Sequence, residues 1–333
     1  MTKVAVFGAG SWGTAFSLVL SDAGHRVSLW GRRDTLCAAI NETRENADYL
    51  PGIRLPEQVV ACHDPAEVAA DAELVVLAVP SQTLRDNLTG WADILPGEAI
   101  LLSLMKGVEL GTLKRMSEVI AEVTGAGPDR IAVLSGPNLA REIAARDPAA
   151  SVVACQAEDV AAQLRDWVHG PNFRPYSSGD VVGCELGGAY KNVIALAVGM
   201  AVGLGFGDNT TASVITRGLA ETARLAMRFG ADPLTLMGLA GLGDLVATCS
   251  SPLSRNRTFG EKLGRGMTTE EITASTRQVA EGVKSCGSLL ELARTHDIST
   301  PLAEGVYAVV NGLRTTQEMV ASILSRETKH ERE

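Results

Sequence analysis

Residues 4–15 read VAVFGAGSWGTA, a β-branched run that breaks into three spaced glycines and then into a small-residue segment. Gly8, Gly10 and Gly13 make G-x-G-x-x-G where a strand should end and a helix should begin. Each glycine has its own task in such a turn. Gly8 permits the tight bend, Gly10 lets a pyrophosphate approach the backbone, and Gly13 lets helix and strand pack closely. The helix N-terminus then offers unpaired N–H groups and its positive dipole end to phosphates. The motif alone is weak evidence. A strand before it, a helix after it and a second strand at 26–30 supply the context that turns it into a dinucleotide site rather than a plain strand-to-helix turn.

Working outward, strand-like runs recur at 3–8, 26–30, 74–79, 99–103, 131–135 and 151–155, most of them separated by helix-like segments. That alternation predicts an α/β, Rossmann-type, doubly wound parallel sheet with helices on both faces. Beyond about Gly179 only helical periodicities appear, at 184–203, 209–229, 258–263, 269–274, 283–295, 301–310 and 316–325. The chain therefore divides into a dinucleotide-binding domain at 1–180, an all-helical substrate domain at 181–326 and a charged tail at 327–333, with a hinge near Gly179.

Composition narrows the function. A net charge of −9 and 46% apolar residues describe a soluble globular protein and count against non-specific nucleic-acid binding. The first residues run straight into a strand without a leader pattern, which predicts a cytoplasmic protein. The six cysteines form no C-x-x-C pair, so reduced thiols are expected, with neither a disulfide frame nor a metal site. The apolar stretch 193–206, VIALAVGMAVGLGF, is shorter than the roughly 20 residues that span a bilayer and reads as a core helix. The sequence leaves open whether that glycine-rich helix is buried inside one chain or at the interface of a homodimer.

The end of the second strand bears on which dinucleotide binds. An NAD-selective site places an acid there for the ribose hydroxyls, whereas this chain has Trp30-Gly31-Arg32-Arg33. Two guanidinium groups could clamp a 2′-phosphate, so NADP(H) use is expected and NAD(H) use is not excluded. Either arginine could instead lie on the solvated surface.

A nicotinamide enzyme acting on an alcohol or carbonyl also needs a proton-exchanging group. None of the five histidines lies in a motif-like context, which turns attention to lysine. Lys106, in SLMKGVE, follows a strand at the carboxyl edge of the sheet, and Lys191, in ELGGAYKNVIALAVG, lies on the most apolar helix. Burial disfavours the charged form of such lysines and tunes them for proton transfer, although a stem that packs while its amine reaches water is the alternative. Asp244, in GLAGLGDLVATC, is a lone carboxylate among apolar residues, either a site group or a helix cap. Ser254, Arg255 and Asn256 offer a hydroxyl, a guanidinium and a carboxamide suited to a phosphate, or else a surface turn. The loop Ser135-Gly136-Pro137-Asn138 opens a further helix at 138–145 whose free N–H groups face the same sheet edge.

Taken in order, GAGSWGTA, VPSQ, SLMKGVE, SGPNLAREI, ELGGAYKNVIALAVG, GLGDLVATC, SRN and QVAEGV resemble the bacterial NAD(P)-dependent sn-glycerol-3-phosphate dehydrogenases over nearly the whole chain. The resemblance implies a cytoplasmic enzyme that interconverts dihydroxyacetone phosphate and sn-glycerol 3-phosphate for glycerophospholipid synthesis. It puts Ser11, Trp12, Arg32, Arg33, Tyr49, Lys106, Ala140, Arg255, Val279 and Glu281 at the cofactor together with the three glycines. It puts Lys106, Gly136, Asn138, Lys191, Asn192, Asp244, Thr248, Ser254, Arg255 and Asn256 at the substrate. Lys191 matches the family's proton-exchanging lysine, with Lys106 and Asp244 beside it. At Asn138 many relatives carry threonine or serine, so its contact differs. The rival readings are a 3-hydroxyacid or 6-phosphogluconate-type dehydrogenase and a non-catalytic dinucleotide sensor. The SRN group and GLGDL favour the glycerol phosphate reading over the first, and the lysines in apolar surroundings favour it over the second.

Overall fold

A computed structural model describes residues 2–276, 280–327 and 330. Eight strands form one sheet: β1 (Lys3–Phe7), β2 (Arg26–Trp30), β3 (Val59–Cys62), β4 (Leu74–Leu77), β5 (Ile100–Ser103), β6 (Ile131–Ser135), β7 (Ala149–Cys155) and β8 (Phe173–Ser178). Their spatial order is β3-β2-β1-β4-β5-β6-β7-β8. Central strands such as β4 and β5 are buried along their whole length, which is why they read as unbroken apolar runs. Seven helices accompany the sheet: α1 (Ser11–Asp22), α2 (Asp34–Thr43), α3 (Pro65–Ala69), α4 (Leu84–Trp91), α5 (Met116–Thr124), α6 (Ala140–Ala144) and α7 (Glu158–Val168). Apolar clusters lie against the sheet, one around Phe16 and Leu20 of α1, another around Leu84, Leu88 and Trp91 of α4.

Two expectations need correction. The sheet is mixed rather than parallel, because β7 runs antiparallel to β6, with Ser135 opposite Val152. The single turn of α6 between them does not form a full crossover, so the chain reverses. Strands β3 and β8, absent from the sequence reading, are the two edges of the sheet. β3 has only four residues, and β8, FRPYSS, carries Pro175, which an edge strand tolerates and a central strand does not.

After Ser178 the described residues contain helices and no strand: α8 (Val181–Gly203), α9 (Asp208–Arg228), α10 (Pro233–Met237), α11 (Asp244–Ser250), α12 (Arg255–Gly264), α13 (Thr269–Ala274), α14 (Glu281–Thr295), α15 (Pro301–Val310) and α16 (Thr316–Leu324). Helix α8 starts on Asp180, whose carboxylate accepts the Gly183 N–H at 2.7 Å. Apart from Glu185, Lys191 and Asn192 it is almost wholly apolar and correspondingly enclosed, with 89% of its most hydrophobic 18-residue window buried. Its glycines are explained by α12. A Cβ on Gly199 would lie 2.1 Å from the Arg257 carbonyl oxygen, and one on Gly260 would lie 2.1 Å from that of Leu196. Gly203 and Gly264 abut in the same way, so a G-x-x-x-G on each helix lets the two backbones touch. The glycine-rich stretch is thus packed inside one chain.

A buried polar link joins the halves. Glu185 on α8 accepts the Ser117 N–H (2.7 Å), the Ser117 hydroxyl (2.6 Å) and the Arg115 guanidinium (2.6 Å) at the start of α5. This carboxylate caps a sheet-side helix from the helical side, which fixes how α8 crosses the sheet. Of the tail expected at 327–333, only Glu327 and His330 are among the described residues.

Candidate active site

The loops after β1, β4, β5 and β6 open at the carboxyl edge of the sheet, where α/β folds hold ligands. Lys106 follows β5, and its Nζ donates to the Gly136 carbonyl at 3.0 Å and to Asp244 Oδ2 at 2.5 Å. Lys191, on α8, donates to Asp244 Oδ1 at 2.6 Å and to Thr248 Oγ1 at 2.7 Å. One carboxylate therefore bridges two ammonium groups, with side-chain exposures of 14% for Lys106, 11% for Lys191 and 1% for Asp244. The cap alternative for Asp244 fails, because Gly243 holds the N-cap position of α11, Asp244 is its first helical residue and its carboxylate accepts no first-turn N–H. Burial lowers the Lys106 pKa to about 8, and the repulsion of Lys191 adds to this against the attraction of Asp244.

Local backbone makes the bridge possible. Asp244 follows a π-helical turn at Leu239–Gly243, in which a Cβ on Gly241 would stand 2.1 Å from the Leu236 carbonyl oxygen. Such turns re-aim side chains at functional sites. Four residues on, Thr248 shares the face of Asp244. On α8, Gly188 leaves room for the Lys106 stem, since a Cβ there would be 3.3 Å from Lys106 Cγ. The sequence reading did not find the π turn, whose only signal is the glycine spacing in GLAGLGD.

Two donors stand close by. Asn138 Oδ1 accepts from Ser151 Oγ at 2.5 Å, while its buried Nδ2 has no partner among the described residues. The buried Ser135 hydroxyl is likewise unpartnered. Buried polar atoms of this kind call for a ligand or water. Of Ser254, Arg255 and Asn256, Asn256 reaches α8, and Ser254 and Asn256 have narrower roles than the sequence suggests. Ser254 caps α12, accepting the Arg257 N–H at 3.2 Å. The Asn256 carboxamide donates to Asn192 Oδ1 and accepts the Gly282 N–H, both at 2.9 Å. One Asn256 N–H and the Ser254 O–H remain to donate. Arg255 is exposed, and no hydrogen bond engages it among the described residues. Glu281, the first residue of α14, accepts from Ser81 Oγ at 2.7 Å and ties that helix to the loop after β4.

On the cofactor side, Gly8 has φ +131°, and a Cβ there would lie 2.5 Å from the Ala78 carbonyl oxygen. A Cβ on Gly13 would lie 1.9 Å from the Gly8 carbonyl oxygen, but one on Gly10 would meet nothing within 4 Å. Gly10 also caps α1 without any side-chain acceptor for the first-turn N–H groups. This open cradle fits a pyrophosphate. Ser11 Oγ donates to the Tyr49 carbonyl at 2.7 Å, Trp12 packs on Phe16, and the buried Trp12 indole N–H has no partner among the described residues. Ala140 opens α6. Arg32 is exposed at the turn after β2, whereas Arg33 is paired with Asp48. Val279 lies outside the described residues. A groove of about 830 Å³ between α9, α15 and α16 is lined by Met200, Val214, Met227, Met319 and Leu324, and contains neither lysine.

The family profile described as the NAD-dependent glycerol-3-phosphate dehydrogenase N-terminus matches residues 3–161, and its C-terminal counterpart matches 180–321. The chain belongs to the NAD-dependent glycerol-3-phosphate dehydrogenase family. The glycerol-3-phosphate dehydrogenase [NAD(P)+] of Streptomyces coelicolor is 62% identical, over 99% of this chain and 98% of its own. That of Thermobifida fusca is 60% identical, over 100% and 99%. The solved glycerol-3-phosphate dehydrogenase of Coxiella burnetii superposes with a TM-score of 0.93 at 36% identity, covering 98% of this chain and 99% of that one. Membership of this dehydrogenase family sets aside both the 3-hydroxyacid or 6-phosphogluconate reading and the non-catalytic sensor.

Proposed function

We propose that this protein is an NAD(P)-dependent glycerol-3-phosphate dehydrogenase that reversibly reduces dihydroxyacetone phosphate to sn-glycerol 3-phosphate. The observation that carries the reading is the Lys106–Asp244–Lys191 bridge, whose Lys106 follows β5 at the same sheet edge as the Gly8-Gly10-Gly13 turn after β1. Residues 1–180 bind the dinucleotide and residues 181–326 complete the substrate site. Gly8, Gly10, Gly13, Ser11, Trp12, Arg32, Arg33, Tyr49, Ala140 and Glu281 line the dinucleotide.

Hydride to and from C2 is the chemistry that the bound nicotinamide supplies. The chain supplies everything else. Arg255, with the free N–H of Asn256 and the Ser254 hydroxyl, anchors the substrate phosphate by charge-assisted hydrogen bonds. Gly136 and Asn138 border the carbon chain. The Lys191 ammonium, aimed by Asp244 and Thr248, donates its proton to the C2 oxygen as that oxygen gains negative charge, and takes it back in the oxidative direction. Lys106 stabilises the same developing charge from the sheet side. Asp244 keeps two like charges together in a site where each alone would be expelled. Six free cysteines suit a reducing cytoplasm.

The test is Lys191→Ala. Turnover with dihydroxyacetone phosphate should fall by about 10²-fold or more while cofactor affinity is kept, the size expected for general acid–base catalysis. Turnover within a few-fold of the parent would remove Lys191 from the chemistry.

A further inference from the structure

We infer that Asp48 sets the balance between NADPH and NADH by holding Arg33, an inference that rests on the cofactor reading above. At the end of β2, dinucleotide folds present an acid to a ribose 2′-hydroxyl or an arginine to a 2′-phosphate. Here the turn after β2 carries Arg32 and Arg33 and no acid. The next carboxylate, Asp34, is turned aside to His63 Nδ1 at 3.1 Å. A carboxylate reaches the turn from elsewhere in the chain, because Asp48 pairs with the Arg33 guanidinium.

That carboxylate is held in place by the backbone around it. The segment after α2 is pinned to the phosphate turn by the wholly buried Asn46, whose Nδ2 donates to the Ala9 carbonyl at 3.0 Å and to Thr14 Oγ1 at 2.8 Å. The Leu50 N–H returns to the Asn46 carbonyl at 2.8 Å, and Ser11 Oγ closes on the Tyr49 carbonyl at 2.7 Å. Asp48 lies between these anchors. Arg33 is fixed from the other side as the residue that precedes α2. Both partners remain about half exposed, at 49% and 45% of their side-chain surface, so a ligand can reach them.

The consequence is a competition. A 2′-phosphate must share the Arg33 guanidinium with Asp48 and meets a like charge beside it, while Arg32, with no partner among the described residues, stays available. A 2′-hydroxyl finds in Asp48 an acceptor that the β2 turn itself lacks. One carboxylate thereby penalises NADPH and favours NADH, and the two arginines do the reverse.

Binding calorimetry on the full chain, with NADPH, NADH, 2′,5′-ADP and ADP as probes, tests this without turnover. In Asp48→Asn the ratio of NADPH to NADH affinity should rise about tenfold, with 2′,5′-ADP tighter and NADH weaker. Asp48→Glu, which keeps the charge, should stay within about threefold of the parent ratio. A ratio unchanged in Asp48→Asn, or shifted equally in Asp48→Glu, would overturn the role of Asp48 and leave the cofactor reading intact. A parent protein that binds neither nucleotide would overturn the cofactor reading and this inference together.

Discussion

Replacing Asp244 by asparagine removes the one negative charge between two lysines and leaves the shape of the site nearly unchanged. Lys106 reports the effect. Its pKa is already lowered to about 8 by burial and by Lys191, against the pull of a carboxylate oxygen 2.5 Å away. A contacting opposite charge raises a cation's pKa, so without Asp244 the Lys106 pKa falls further and the amine loses more of its charge at pH 7.5. In the proposed mechanism Lys106 must be charged to stabilise the negative charge that develops on the C2 oxygen. The alkaline limb of the pH–rate profile should therefore move down by at least about one pH value, with turnover at pH 7.5 lower by roughly 3- to 200-fold for a shift of about 1 to 3 and the deficit smaller near pH 6.

Stability moves with the opposite sense of pH. A lysine whose folded pKa lies below its unfolded value costs stability as pH falls towards that folded pKa. The parent stops losing stability from this group near pH 8, whereas the variant continues to lose it below that pH, so the gap between them widens as pH falls from 8. The assay is steady-state NADPH oxidation by dihydroxyacetone phosphate from pH 5.5 to 9, with chemical denaturation at pH 6 and 8 beside it. A variant with kcat within threefold of the parent and an unmoved alkaline limb would refute the claim that Asp244 holds the lysines charged.

Further expectations follow from the packing. Gly10→Ala should fold with nearly the parent's stability, because its Cβ meets nothing within 4 Å, yet bind NADPH and NADH at least about tenfold more weakly; calorimetry separates the two effects. Gly13→Ala places a Cβ 1.9 Å from the Gly8 carbonyl oxygen and should lose stability as well. Gly260→Ala forces α8 and α12 apart against the Leu196 backbone and should cost about 3 kcal/mol in urea unfolding. Burial pushes the Cys249 thiol up to about 12 and Cys286 to about 11, and raises Cys37, Cys155 and Cys184 as well. Only Cys62 is partly exposed, so a thiol reagent at pH 8 should titrate no more than one rapid thiol in the native protein and six after unfolding.

The parts of the fold legible in the sequence are those with strong local signals. Central strands are unbroken apolar runs, and the first of them ends on a glycine triplet whose spacing has few other uses. The edge strands β3 and β8 were hidden because half their surface is solvated and their pairing partners lie outside their own sequence. The direction of β7 is likewise a property of the chain path between Ser135 and Ala149, which no periodicity records. At the site, Lys106, Lys191 and Asp244 stood out as charges in apolar surroundings, but 138 residues separate Lys106 from Asp244 and only the fold brings them together. Asp48, Ser81 and Ser151 carry ordinary surface-like residue types, and their contacts to Arg33, Glu281 and Asn138 exist only in three dimensions. The converse also holds: Ser254 and Asn256 looked wholly available to a ligand, yet much of their hydrogen-bonding capacity serves a helix cap and an inter-helix bridge.

The central claim is that the Lys106–Asp244–Lys191 bridge supplies the proton and the charge stabilisation for nicotinamide-dependent reduction of dihydroxyacetone phosphate. Its most direct test is the fall in nicotinamide absorbance when the purified protein meets that substrate with NADPH and, in parallel, with NADH. The account predicts rapid oxidation with sn-glycerol 3-phosphate as product, lost in Lys191→Ala. Folded protein that binds the nucleotides and oxidises neither would contradict it.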